Sequence, residues 1–136
     1  MSAGYSGTPL VKKLGIKAGY RIAILNAPEN YAETLGTLPE DVTLMDWLGE
    51  SLDFIHFFTK DRAELEQEFP ALKAALAMDG MLWVSWPKRA AKVPTNMTED
   101  VVREIALANG LVDVKIAAID AVWSGLKLVY RVKDRK

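Results

Sequence analysis

The 136-residue chain contains no cysteine, which excludes disulfide cross-links, thiolate metal sites and cysteine nucleophiles. It has one histidine, His56, so a nitrogen-rich metal site is excluded as well. Neither sign of charge dominates, because 17 basic and 18 acidic residues give a net charge of −1. This balance provides no overall attraction to nucleic acid or to an anionic membrane.

Long hydrophobic runs are also missing. The longest apolar stretches, Phe54–Phe58 and Met81–Trp86, are far shorter than the roughly 20 residues that span a bilayer. The first residues lack an apolar segment after a charged start, so no signal peptide is expected. We therefore expect a soluble, cytoplasmic protein that folds as a single domain over residues 1–136.

Short apolar runs alternate with segments of helical character. Strands are expected at Arg21–Asn26, Val42–Asp46, Leu52–Thr59, Met81–Trp86, Val112–Ile119 and Gly125–Val132. Helices are expected from Thr8-Pro9 to Gly15, over Glu29–Leu35, after Asp61 and after Thr98. Pro70 is expected to divide or sharply kink the third helix, and Asp79-Gly80 to form a turn.

This alternation predicts an α/β fold: a three-layer, Rossmann-like domain with a mostly parallel sheet of about six strands. Only Asp120–Ser124 separates the last two strands, which is too short for a crossover helix. These strands are therefore expected to end the sheet as an antiparallel hairpin.

The order of elements resembles that of class I S-adenosylmethionine-dependent methyltransferases. The rhythm of Leu52-Asp53-Phe54-Ile55-His56, a helix and then Asp79-Gly80-Met81-Leu82-Trp83-Val84 is similar to their fourth and fifth strands. The likeness covers roughly the last two-thirds of the chain and implies the fold more than the chemistry.

The front of the chain departs from that pattern. Those enzymes end their first strand with a glycine-rich turn, whereas Ile24–Asn30 contains no glycine and includes Pro28. Trp47–Ser51 is too short for a further helix and strand, so one element of the usual sheet is missing. The resemblance places Asp46 where the family's ribose-binding acid would be.

A second resemblance covers the whole chain. Gly4-Tyr5-Ser6-Gly7-Thr8-Pro9-Leu10, Trp83-Val84-Ser85-Trp86-Pro87-Lys88 and Trp123-Ser124-Gly125-Leu126-Lys127 look like recurrent stretches of a bacterial family of short proteins known only as a domain of unknown function. That resemblance implies no activity.

Ligands of open α/β sheets bind beyond the carboxyl ends of the parallel strands. Lys88, Arg89 and Lys92 place three cations in one loop at that rim and could hold a phosphate or a carboxylate, although a solvated loop has the same pattern. Trp86, Lys88, Trp123 and Lys127 are expected to share one surface. The complete set of ligand-binding candidates is Asn26, Asp46, Ser85, Trp86, Lys88, Arg89, Lys92, Trp123 and Lys127.

No catalytic or metal-binding constellation is visible in the sequence. His56 lies in mid-strand and is expected to be a neutral, hydrogen-bonded core residue. Ser85 lacks the flanking glycines of a nucleophile elbow. Gly125 is expected to supply a permissive backbone beneath Trp123.

These observations favour a non-catalytic binding domain for a small anionic or nucleotide-like ligand, or for a protein partner, with no cofactor and no nucleic acid. The alternative is a divergent S-adenosylmethionine-dependent enzyme in which Asn26, Asp46 and Ser85 touch the cofactor. A third hypothesis is an assembly subunit that pairs a sheet edge in a homodimer; the sequence leaves monomer and homodimer open.

Overall fold

Six strands form one mixed sheet in the computed structural model, which describes residues 9–45 and 48–135. They are β1 (Arg21–Leu25), β2 (Thr43–Met45), β3 (Leu52–Phe58), β4 (Leu76–Pro87), β5 (Leu111–Ala118) and β6 (Trp123–Tyr130). Across the sheet they follow the order β2-β1-β3-β4-β6-β5. Strands β1 to β4 run parallel, and β6 is antiparallel to both β4 and β5. The mostly parallel sheet with a terminal antiparallel hairpin is confirmed.

Within the described residues, four α-helices cover the two faces of the sheet: α1 (Leu10–Leu14), α2 (Tyr31–Leu35), α3 (Arg62–Ala75) and α4 (Glu99–Ala108). One core cluster packs α3 and α4 against one face, and a second packs α1 and α2 against the other. Neighbouring strand residues point to opposite faces, so Val84 joins the first cluster and Trp83 the second. The domain is therefore three-layered and Rossmann-like, as expected.

Side chains at the helix starts explain why α3 and α4 begin where they do. The Asp61 carboxylate accepts a hydrogen bond from the Ala63 amide at 3.0 Å, and the Thr98 hydroxyl accepts one from the Val101 amide at 3.1 Å. On the opposite face, the Trp83 indole donates to the Leu14 carbonyl at 3.0 Å and fixes α1 to the sheet. None of the helices in the described ranges combines the length and apolarity needed to cross a bilayer.

Three local predictions need correction. Pro9 is extended, with φ −57° and ψ 144°, and lies one residue before α1; Thr8 is outside the described residues. One helix, α3, continues through Pro70, whose exposed ring lies between the fully buried Phe69 and Leu72. Packing of these neighbours holds the helix together across the missing backbone donor.

Asp79-Gly80 lies inside β4 rather than in a turn. The β3–β4 register shifts between the pairs Leu52–Leu76 and Phe54–Met81, so residues 77–80 form an irregularity in the strand. A Cβ atom on Gly80 would lie 2.7 Å from the Leu52 carbonyl oxygen, which explains why glycine occupies this position.

Candidate functional site

Strand β1 marks the switch point of the sheet, because β2 lies on one side of it and β3 on the other. Immediately after β1, Asn26 adopts a left-handed backbone conformation with φ 61°. Asparagine tolerates this conformation better than most residues with a side chain. The Asn26 side-chain amide also donates a hydrogen bond to the Phe58 carbonyl at 3.3 Å, and this bond joins the ends of β1 and β3. Asparagine therefore makes the sharp turn that the resembled methyltransferases make with glycine.

A cleft of about 400 Å³ opens at this switch point. We call it the switch-point cleft; it is lined by Asn26, Pro28, Phe58, Thr59, Lys60, Glu64 and Trp123. The Phe58 and Trp123 rings meet edge to face, with centroids 5.2 Å apart. Asn26 follows β1, and Thr59 and Lys60 follow β3, so the cleft joins the ends of these two strands.

Polar groups at the end of β3 are held in place by one another. The Thr59 hydroxyl donates to Glu64 Oε1 at 2.5 Å, and the Thr59 amide donates to the Ser85 carbonyl at 3.0 Å. Lys60 and Glu64 are exposed and carry opposite charges along the same cleft. The cleft therefore offers a cation, a carboxylate and apolar rings to one ligand.

A buried polar chain lies in the layer beneath this cleft. His56 Nδ1 lies 2.7 Å from the Tyr31 hydroxyl, and His56 Nε2 lies 2.7 Å from the Ser85 hydroxyl. The imidazole also stacks on Phe58, with ring centroids 4.1 Å apart. A neutral imidazole has one donor and one acceptor nitrogen, so it satisfies both hydroxyl groups at once.

Burial controls the ionisation of this chain. It lowers the pKa of His56 to about 3 and raises the pKa of the Tyr31 hydroxyl well above its usual range. No buried side-chain nitrogen or oxygen in the described ranges lacks a hydrogen-bond partner. The prediction of a neutral, hydrogen-bonded core histidine is confirmed.

Gly125 provides space for this chain rather than an unusual backbone conformation. A Cβ atom there would lie 3.0 Å from Ser85 Oγ, 3.0 Å from Ile119 Cδ1 and 3.1 Å from Trp83 Cε3. No left-handed φ is found at this residue, so the expectation of a permissive backbone is wrong. Close approach of β6 to the Ser85 hydroxyl is the reason for glycine.

We expect Gly125→Ala to lower the free energy of unfolding by about 1–3 kcal/mol, because the added methyl group overpacks three neighbours. Chemical denaturation would measure this change. Gly19→Ala serves as a control for general loss of glycine: its Cβ would meet nothing within 4 Å, although its left-handed φ of 82° adds its own strain. The loss caused by Gly125→Ala should be smaller in a Ser85→Ala background than in the parent, and equal losses in the two backgrounds would contradict this explanation.

A second cleft of about 400 Å³ opens on the side of the sheet that α4 covers. We call it the basic cleft; it is lined by Trp86, Pro87, Lys88, Arg89, Val93, Thr95, Met97, Thr98, Glu99, Ile116 and Ser124. The Lys88 amide donates to the Val122 carbonyl at 2.8 Å, which anchors the basic loop against the β5–β6 connection.

The expected single surface of tryptophans and lysines is divided in the structure. Trp86 packs in the core cluster of α3 and α4, whereas Trp123 packs against the cluster of α1 and α2. Lys88 therefore lines the basic cleft and Trp123 the switch-point cleft, so these two members of the expected surface lie in different clefts. The two tryptophans separate because they point to opposite faces of the sheet.

Other candidates lie elsewhere. Lys127 pairs with Trp83 in the middle of β6 rather than at the rim. Burial, and to a smaller extent the charges of Lys115 and Lys17, lowers the pKa of Lys127. Lys92 is exposed, with φ 56°, and lines neither cleft. Ser85 is fully buried, and its hydroxyl is hydrogen-bonded to His56. Asp46 lies outside the described residues.

The sequence analysis missed Phe58 and Glu64 in the switch-point cleft and Met97 and Ile116 in the basic cleft. Glu64 was visible only as part of a helix-capping pattern, and Phe58 as a core strand residue. Nothing in the sequence marks Ile116 as a cleft residue, because its partial exposure depends on how α4 covers β5. Within residues 9–45 and 48–135, no group of acidic or histidine side chains could hold a metal ion.

No protein-family model matches this chain, and no curated protein is similar to it in sequence. Its resemblance to the short bacterial family therefore stays a prediction.

Solved structures are similar in fold. Magnesium protoporphyrin IX methyltransferase from Synechocystis PCC 6803 with bound S-adenosylhomocysteine has 15% identity over 90% of this chain and 78% of its own, with a TM-score of 0.57. A type 11 methyltransferase, described as putative, from Sulfolobus solfataricus has 14% identity over 85% of this chain and 86% of its own, with a TM-score of 0.58.

An O-methyltransferase from neocarzinostatin biosynthesis, in complex with S-adenosylmethionine, has 12% identity and a TM-score of 0.62. The match covers 95% of this chain and 51% of that one. At these identities the likeness establishes the fold alone. The chain has the Rossmann-like fold of class I methyltransferases.

The expectation of no cofactor is corrected by the Synechocystis and neocarzinostatin-biosynthesis enzymes, whose structures of the same fold hold S-adenosylmethionine or S-adenosylhomocysteine. The proteins named in these comparisons are methyltransferases, the class of the alternative hypothesis, and the likeness to them is one of fold.

Proposed function

We propose that the protein binds S-adenosylmethionine in the switch-point cleft and acts as a small methyltransferase. The observation that carries this proposal is the position of the cleft at the point where β1 separates β2 from β3. Ligands of open α/β sheets bind at this point, beyond the carboxyl ends of the strands.

The lining residues suit the cofactor by size and chemistry. A volume of about 400 Å³ falls within the range of small-molecule sites. Lys60 would pair with the carboxylate of the cofactor and Glu64 with its ammonium group, while Phe58 and Trp123 offer apolar surface to the adenine ring. Asn26 forms the turn after β1, and its side-chain amide donates a hydrogen bond to the Phe58 carbonyl.

The absence of a catalytic constellation does not weigh against methyl transfer. A bound S-adenosylmethionine supplies a methyl group already activated by a positively charged sulfur, so the chemistry requires no protein nucleophile. The contribution of this chain is then to bind both reactants, orient them and exclude water.

A second candidate function is binding without catalysis. The observation that favours it is that Glu64, the one carboxylate among the described residues that line the cleft, already accepts the Thr59 hydroxyl, so no unoccupied base of this lining faces an acceptor there. In that case the cofactor or its product would bind and no acceptor would be methylated.

Titration calorimetry with S-adenosylmethionine and S-adenosylhomocysteine tests the proposal. We expect saturable binding of one molecule per chain. Lys60→Met should weaken it roughly tenfold, because a charge-assisted hydrogen bond to the carboxylate is lost.

Lys12→Met is the matched control, since Lys12 is an exposed lysine of α1 and lines neither cleft. Its affinity should stay within about twofold of the parent. No binding at millimolar concentrations of either compound would overturn both candidate functions. Cofactor binding with no acceptor methylated would favour the second candidate.

A further inference from the structure

The basic cleft has an excess of positive charge, because Lys88 and Arg89 line it together with one carboxylate, Glu99. Within the described ranges, Lys88 and Arg89 form no ion pair, whereas the Glu99 carboxylate is bound to Arg103 at 2.5 Å. Arg103 also holds Asp100 at 2.9 Å and Asp113 at 3.0 Å, so its one charge is shared among three carboxylates. Two cations of the lining therefore remain to attract an anion, against one partly compensated carboxylate.

Part of the lining is apolar. Trp86 and Met97 are almost completely buried, but Ile116 is 50% exposed. An exposed branched side chain inside a concave site favours a ligand with an apolar body. The lining of the cleft thus combines cations with apolar side chains.

The two clefts share a thin wall. Trp123 lines the switch-point cleft, and the next residue, Ser124, lines the basic cleft. On the other side of this wall, the Thr95 hydroxyl in the basic cleft donates to the carbonyl of Lys60 in the switch-point cleft at 2.6 Å. A molecule in one cleft is therefore separated from the other cleft by single residues.

We propose that the basic cleft is a second ligand site, which binds a small organic anion in which a carboxylate or phosphate is attached to an apolar ring. Lys88 and Arg89 would bind the anionic group, while Ile116, Met97 and Trp86 would contact the ring.

Binding of simple probes, followed by the methyl NMR signals of Met97 and Ile116, tests this inference without any need for activity. The probes are phenylacetate, phenyl phosphate and the neutral benzyl alcohol. We expect both anions to shift these signals saturably with dissociation constants roughly in the millimolar range, since each probe is a small fragment. Benzyl alcohol should bind at least about fivefold more weakly, and preference between the two anions identifies the favoured group.

Replacing both Lys88 and Arg89 with glutamine should weaken anion binding roughly tenfold. Lys92→Gln is the control, because it removes a cation from the same loop outside the cleft and should change the affinity by less than about twofold. Equal binding of benzyl alcohol, or an unchanged affinity in the Lys88→Gln, Arg89→Gln variant, would overturn the inference.

The same titrations in the presence of S-adenosylhomocysteine separate the two proposals. If S-adenosylhomocysteine binds and the anions do not, the anion site is overturned and the cofactor assignment stands. If the anions bind and neither cofactor compound does, the anion site stands and the proposed function fails.

Discussion

Replacing His56 with leucine lowers the free energy of unfolding by about 3–5 kcal/mol in our account, as chemical denaturation would measure. The imidazole is fully buried and bridges the hydroxyl groups of Tyr31 and Ser85 at 2.7 Å each. Leucine fills a similar space but leaves both hydroxyl groups in the core without this partner. Each such group costs about 1–3 kcal/mol.

A triple variant distinguishes this cause from a simple packing defect. Tyr31→Phe and Ser85→Ala, added to His56→Leu, remove the two unpartnered hydroxyl groups, so at least about half of the lost stability should return. A triple variant that is less stable than His56→Leu would contradict the role of the buried polar chain.

The stability of the fold should also fall between pH 6.5 and about 4 because of the same histidine. Burial lowers the pKa of His56 to about 3, whereas the imidazole of an unfolded chain titrates near 6.5. The unfolded chain therefore binds more protons throughout this interval, and acid favours unfolding. One proton gives a slope of at most about 1.4 kcal/mol per pH unit, so we expect His56 to account for a loss of about 2–3 kcal/mol.

His56→Gln isolates this contribution, because His56 is the only histidine and glutamine does not titrate. Both proteins keep the same carboxylates, whose own titration cancels in the difference. The free energy of unfolding of the parent should fall more steeply with acid than that of the variant. Parallel curves for the two proteins would show that His56 is not held neutral by the fold.

The sequence predicted the architecture because its strands are short apolar runs bounded by clear turn residues. The strand formed by Leu52–Phe58 is one example, and the brief Asp120–Ser124 connection required an antiparallel hairpin. It could not predict the course of the chain through Pro70 or the irregularity at Gly80. Both depend on tertiary packing that local propensity does not contain.

The candidate site was predicted less completely. The segment after β1 contains no glycine, yet the structure makes a sharp turn there with Asn26. Asparagine tolerates a positive φ, and this property can be recognised from the sequence. Trp86 and Trp123 both lie near strand ends, which predicts one shared surface. Which face each residue takes depends on the β4–β6 register, and that register follows from long-range pairing rather than from either segment alone.

The most direct test of the central claim is an amide NMR titration of the protein with S-adenosylhomocysteine. If the switch-point cleft is the cofactor site, saturable shifts should concentrate at the residues that line it, with Asn26, Lys60 and Trp123 among the largest. Lys92, which lines neither cleft, should remain unchanged. An absence of saturable shifts at millimolar ligand, or shifts confined to residues outside this cleft, would contradict the account.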